Sequence, residues 1–266
     1  MDSKIISEVS DLRDLDFTRL RKSEGIGGSC LKARRDGLFY KLSRYREGEG
    51  IVGLESVYEL IADRLLAILK IDHLSYTLQR ALVRIGTEEY ETWLCVSKDY
   101  RQEGESKCSL TDYYDLEKYP YETPLDFCFR QGWEDIAWNI FLTDYIICNR
   151  ERNGSGLEVI KRKGSMDVRL APIGDHGCSM LFQCREDRVA KKLDVLRDTT
   201  IQSFLGSRSL LENLQMVPEQ RRRSLPLLQD SQKEDLFAGT EEILSPVFRV
   251  KIWEMLQKRV EKAVQV

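Results

Sequence analysis

Histidine is scarce in this chain, with only His73 and His176 among 266 residues. Two histidines leave little material for a zinc centre or a histidine-based catalytic triad. The seven cysteines (Cys30, Cys95, Cys108, Cys128, Cys148, Cys178 and Cys184) are odd in number, scattered, and contain no C-x-x-C pair. They read as reduced thiols, mostly small core residues, and not as a disulfide framework. Six prolines and 17 glycines are too few for a collagenous or low-complexity chain. No run approaches the ~18 uninterrupted apolar residues of a membrane helix. The opening MDSKIISEVSDLRDLDF breaks every apolar run with an acid, unlike a secretory leader. Cationic excess is missing as well: 41 Lys+Arg against 44 Asp+Glu gives a net charge of −3, so a broad basic nucleic-acid footprint is absent. These absences predict a cytoplasmic globular protein that engages neither a membrane nor, directly, a nucleic acid.

The length suits one large domain or two lobes around a cleft. Turn signals at Ser23–Ser29 and Arg34–Gly37 bracket Cys30–Ala33 and precede the β-prone Leu38-Phe39-Tyr40-Lys41-Leu42, which predicts a hairpin led by a glycine-rich loop. Val57, Leu60, Ile61, Leu65 and Ile68 recur at helical spacing within Leu54–Leu69. Glu55 and Glu59 share the opposite face with Ala62 and Leu66, so that face is not wholly solvated and one glutamate is expected to enter a protein site. Strand-like runs follow at Leu78–Ile85 and Tyr90–Val96, then a polar, irregular stretch from Ser97 to Pro124. Trp133–Ile147 reads as a strong helix, the chain beyond Ala190 as helical to the end, and Val247–Val264 as an amphipathic last helix. The expected division is a sheet-rich lobe over residues 1–97 and a mainly helical lobe over residues 98–266.

A glycine-rich hairpin, a strand lysine, a helix with glutamates and late acidic loops occur in that order. Taken singly, each has a plain explanation: a hairpin turn, an exposed strand lysine, solvated helix charges. Together they are the parts of a nucleotide-binding phosphotransfer site. Glycine-loop N–H groups can approach phosphate oxygens, a strand lysine supplies a compact cation, a glutamate fixes that lysine, and later carboxylates hold Mg²⁺ and orient the acceptor hydroxyl.

The second half is more specific. Asp144 leads through Asn149-Arg150-Glu151-Arg152-Asn153-Gly154-Ser155-Gly156-Leu157-Glu158-Val159, and Leu170-Ala171-Pro172 leads to Asp175-His176-Gly177. With Tyr40-Lys41-Leu42-Ser43, Gly53–Glu59, Phe204-Leu205-Gly206-Ser207 and Asn213-Leu214, these segments resemble the HipA-like kinase family, bacterial serine/threonine kinases, in its short form with the kinase core alone. Family members pass through N-R-D-R-H-G-A-N-I-E-V and L-A-P-L-F-D-H-G-x-S-L.

The resemblance implies an α+β, two-lobed protein-kinase-like fold that uses ATP and Mg²⁺ on a protein serine or threonine, with an antitoxin-like protein as a further expected partner. It also implies roles for particular residues. Gly25, Gly27, Gly28 and Ser29 would form the phosphate loop, and Lys41 would meet the ATP phosphates. Glu55 or Glu59 would pair with Lys41, Glu55 being favoured. Leu94 and Cys95, within Trp93–Val96, would offer backbone groups to adenine; Asp175 would bind Mg²⁺; Glu151, with Arg152 beside it, would occupy the catalytic position.

Three positions depart from the pattern: Glu151 replaces the catalytic Asp, Asn153 the His and Gly156 the metal-binding Asn. An added methylene can displace a carboxylate by roughly 1 Å, which can cost ~10²-fold in rate, and Gly156 offers no ligand at all. Three readings follow: a kinase with a weakened catalytic loop, a pseudokinase that binds nucleotide or protein without transfer, and a degenerate relative that keeps only the fold.

Overall fold

The computed structural model describes residues 4–17 and 30–266. Its N-terminal part contains β1 (Ile5–Asp11), β2 (Lys32–Arg35), β3 (Leu38–Leu42), the short pair β4 (Tyr45–Arg46) and β5 (Gly50–Ile51), α1 (Glu55–Leu69), β6 (Thr77–Ile85) and β7 (Glu88–Lys98). Five of these strands form one sheet in the order β1-β6-β7-β3-β2, with β1 parallel to β6 and the other neighbours antiparallel. β6 and β7 meet through a two-residue turn whose Gly86 adopts φ +61°, a conformation that favours glycine.

Strand alternation decides what faces the cleft. Leu42 lies opposite Leu94 and Tyr40 opposite Val96, and all four belong to a small core with Leu12, Leu15 and Phe17. The intervening pairs, Lys41 with Cys95 and Phe39 with Ser97, must then point to the other face. That is the side where α1 packs, so the lysine is aimed at the helix by its apolar neighbours.

α1 is buried almost all round, because it lies between the sheet and the main core. Three carboxylates on it, Glu55, Glu59 and Asp63, recur every fourth residue and are all nearly inaccessible. Each has a cation: Arg44 at 3.1 Å, Lys41 at 2.6 Å and Lys4 at 2.6 Å, respectively. Burial of ionised side chains is tolerated only with such pairing.

The C-terminal part contains β8 (Glu105–Ser109), α2 (Leu110–Glu117), α3 (Pro124–Arg130), α4 (Glu134–Ile147), β9 (Glu151–Arg152), β10 (Glu158–Arg162), β11 (Val168–Leu170), α5 (Asp187–Lys191), β12 (Gln202–Ser203), α6 (Leu210–Met216), α7 (Glu219–Arg223), α8 (Gln232–Phe237) and α9 (Pro246–Gln265). α4 packs against α9 and α6 in the main core. Its last residue is followed by Cys148 in the left-handed region (φ 54°), which turns the chain into the loop that carries Glu151.

Two sequence expectations need correction. Residues 97–124 are not irregular: β8 pairs with β10, and α2 is capped by Ser109, whose Oγ accepts from the Asp112 amide. β8 is half-exposed and polar, so it lacks the alternation that would reveal it. The chain beyond Ala190 is not continuously helical either. Short helices alternate with extended segments there, Thr200 bridges Ser209, and β12 pairs in parallel with β9. Only α9 there has the length of an independent helix.

Candidate functional site

Lys41 lies at the inner end of a cleft of about 480 Å³. Its Nζ donates to Glu59 Oε1 at 2.6 Å and also to Asp175 Oδ1. Burial opposes the charge, yet Asp175 and then Glu59 outweigh it and hold the ammonium well above its ordinary pKa. Glu59 Oε2 accepts from the His176 amide at 2.7 Å, so one buried carboxylate fixes both the lysine and the loop that presents Asp175. The Asp175 amide donates to the Tyr76 hydroxyl at 3.1 Å, and Asp175 itself is left-handed at φ 59°.

The lysine's helix partner is therefore Glu59 and not Glu55. Glu55 stands one turn nearer the helix start, where the chain leaving β3 passes. It accepts from the Arg44 amide at 3.0 Å and pairs with the Arg44 guanidinium.

Arg152 is 2% exposed and committed to groups of the protein itself. Its guanidinium binds Asp144, with Nη2 to Oδ1 at 2.7 Å and Nε at 3.1–3.2 Å from both oxygens, and it donates to the Gly174 carbonyl. Burial opposes its charge, and Asp144 more than compensates. Arg152 Nη2 also lies 3.2 Å from His176 Nδ1. Burial first, and then the Arg152 charge, push His176 down to about 3, so the ring is neutral and Nδ1 is the acceptor. Arg152 and His176 thus brace the Asp175 loop from beneath, while Asn149 Nδ2 donates to Asp144 at 2.9 Å.

Glu151 is half-buried. Its Oε1 accepts from Asn153 Nδ2 at 2.9 Å, and its Oε2 accepts from the Cys178 thiol at 3.4 Å. Burial, then the charges of Glu151 and Asp175, raise the Cys178 pKa, so the thiol stays protonated and serves as a donor. Asn153 is engaged as a prop for Glu151. Ser155 and Gly156 line the cleft, so the position where the family carries Asn is side-chain-free.

Leu94 and Cys95 cannot present backbone groups to a base. β7 is the middle strand of its sheet: Cys95 is paired with both Lys41 and Leu78, and Leu94 with both Leu42 and Gln79. Their peptide groups are occupied by the two ladders. Leu94 is fully buried away from the cleft, whereas the Cys95 thiol lines it and is raised in pKa by burial. Past Val96 the β6 ladder ends, and Ser97, Tyr100 and Arg101 line the cleft. Gly25, Gly27, Gly28 and Ser29 lie outside the described residues.

Asp175 is a hard oxygen donor of the kind Mg²⁺ takes, and phosphate oxygens and water would have to complete any such coordination. Asp175 is 38% exposed in its side chain and faces the cleft, and Lys41 stands beside it. Among the described residues, no group of three or more His, Cys, Asp or Glu could hold a metal unaided. Asp63 and Tyr76 are site residues that no motif marks, and Asp144 opens a quoted segment without a role assigned to it. Asp63 alone left a trace, by continuing the four-residue spacing of Glu55 and Glu59.

No protein-family model and no curated protein matches the chain. Among solved structures it is similar to the Helicobacter pylori proinflammatory kinase CtkA, with a TM-score of 0.63 and 13% identity over 97% of this chain and 98% of that one. HipA in a complex with HipB and operator DNA, from Shewanella oneidensis MR-1, matches more loosely, with a TM-score of 0.38 and 12% identity over 92% of this chain and 68% of that one. Among the described residues, no helix is long and apolar enough to cross a membrane. The sheet-rich N-terminal part, the helical C-terminal part and the cleft between them make this a kinase-like fold.

Proposed function

We propose that this chain is an ATP-dependent serine/threonine protein kinase of the HipA-like type, with a weakened catalytic loop. The observation that carries the reading is the Lys41 ammonium, held by buried Glu59 and by Asp175 at the inner end of the cleft. Lys41 would bind ATP phosphates, keeping Glu59 as its anchor. Asp175 would hold Mg²⁺, which when bound neutralises charge on the phosphates. Glu151 would orient an acceptor hydroxyl and take its proton. The acceptor oxygen then bonds to the γ-phosphorus as the bond to the ADP oxygen breaks. Asn153 and the Cys178 thiol fix the Glu151 carboxylate from two sides.

A second reading, a nucleotide-binding pseudokinase, is favoured by the side-chain-free Gly156 and by the donors already on both Glu151 oxygens. Thermal shift with Mg-ATP and transfer from labelled ATP separate the two. Under the kinase reading the wild type binds and transfers, and Asp175→Ala abolishes transfer. Binding without transfer, restored by Glu151→Asp with Gly156→Asn, supports the pseudokinase. A wild type that does not bind Mg-ATP refutes both.

A further inference from the structure

Asp63 lies one helical turn past Glu59, fully buried, and collects three partners from two segments. Lys4 Nζ, at the edge of β1, donates to its oxygens at 2.6 and 2.9 Å, and His73 Nε2 lies 3.1 Å away. The Tyr76 amide donates to Oδ1 at 3.3 Å. His73 Nδ1 faces the Ile71 carbonyl at 2.7 Å, so both ring nitrogens meet acceptors and the imidazolium form fits the site. Lys4 also reaches Ser75 Oγ at 2.9 Å. Asp63 thereby ties residues 71–76 to α1 and β1.

The same six-residue segment grips the approach to Asp175. The Leu74 amide donates to the Ile173 carbonyl at 2.8 Å, and His73 forms a parallel bridge with Ile173. The Tyr76 hydroxyl accepts from the Asp175 amide, and a Cβ added at Gly174 would meet that hydroxyl at 2.7 Å, so the fit leaves no slack. Asp175 therefore sits between two held amides, its own on Tyr76 and that of His176 on Glu59.

We propose that Asp63 is a positioning residue for Asp175: through Tyr76 and the Leu74–Ile173 contact, it sets one of the two backbone grips on the carboxylate that faces the cleft. The functional half of this statement rests on Asp175 as the Mg²⁺ ligand; the geometric half does not.

Two measurements on the full chain test it. In nucleotide-free protein, amide hydrogen exchange by NMR should speed about tenfold at Asp175 in Asp63→Asn and in Tyr76→Phe, while His176, held by Glu59, keeps its protection. The Mg²⁺-dependent part of ATP binding should weaken by about tenfold in both variants, ATP binding without metal should not change, and the double variant should be no worse than either single one. Unchanged exchange at Asp175, or a uniform rise at both amides, would overturn the proposal by making Asp63 a merely structural residue. If Asp63→Asn does not fold, Tyr76→Phe and Lys4→Met carry the same comparison. A wild type without Mg²⁺-dependent ATP binding refutes the nucleotide reading, and the exchange comparison still decides the positioning claim.

Discussion

Replacing Lys41 with methionine isolates the energetics of the site. In the wild type, Lys41 is 15% exposed and Glu59 is 0% exposed, so the pair is effectively out of water. Removing one partner of a buried pair costs ~3–5 kcal/mol, because the other charge is left uncompensated. Asp175 adds little to this figure, since its side chain is 38% exposed and solvent screens it. Glu59 keeps only the His176 amide, so we expect a loss of about 3 kcal/mol in Lys41→Met. In a chain of this size, that lowers Tm by roughly 6–12 °C. The decisive comparison is Lys41→Met with Glu59→Gln. Removing both charges leaves no buried ion, so the double variant should be more stable than Lys41→Met alone. Urea unfolding at neutral pH without nucleotide measures all three differences. A double variant as unstable as the sum of the single ones would refute the claim that Glu59 depends on Lys41 for its charge.

Gly177 is packed against α1, where an added Cβ would lie 2.9 Å from the Glu55 Cβ and 3.3 Å from its carbonyl oxygen. Gly177→Ala should therefore force the Asp175 loop off the helix, costing ~1–3 kcal/mol and reducing the Mg-ATP thermal shift; an unchanged Tm and shift would show that the close approach is immaterial. His73 is raised above its ordinary value of 6.5: burial opposes its charge, but the bond to Asp63 outweighs that. Its contribution to stability is complete below pH 6.5 and is lost as pH rises through the higher folded value. Urea midpoints from pH 5 to 9 should show that decline in the wild type and not in His73→Gln.

Lys41 and Asp175 were legible because short-range patterns fix them: apolar Tyr40 and Leu42 flank the lysine, and the aspartate sits in a distinctive loop. The choice between Glu55 and Glu59 was not legible. They share a helix face one turn apart, and only the path of the chain leaving β3 separates them. The carboxylate that Arg152 pairs with was not legible, because Asp144 lies inside the preceding helix and burial of an arginine leaves no mark in the local sequence. Leu94 and Cys95 were misplaced for a topological reason, since β7 continues to Lys98 between two neighbours and frees its edge only beyond Val96. Tyr76 acts through a single hydroxyl, and nothing around it alternates or repeats.

The three carboxylates of α1 also differ in how far along the chain their partners lie. Their cations lie 11, 18 and 59 positions away along the chain, for Arg44, Lys41 and Lys4, whereas Asp175 is 134 positions from Lys41. Loop-closure entropy grows with separation, so the contacts close at least cost from the helix start toward its end. Lys41 and its helix partner Glu59 both lie in the first 100 residues, and Asp175 does not. The lysine's anchor on α1 is thus local in the chain, whereas its contact with Asp175 and the packing of α1 on the main core join distant parts of it.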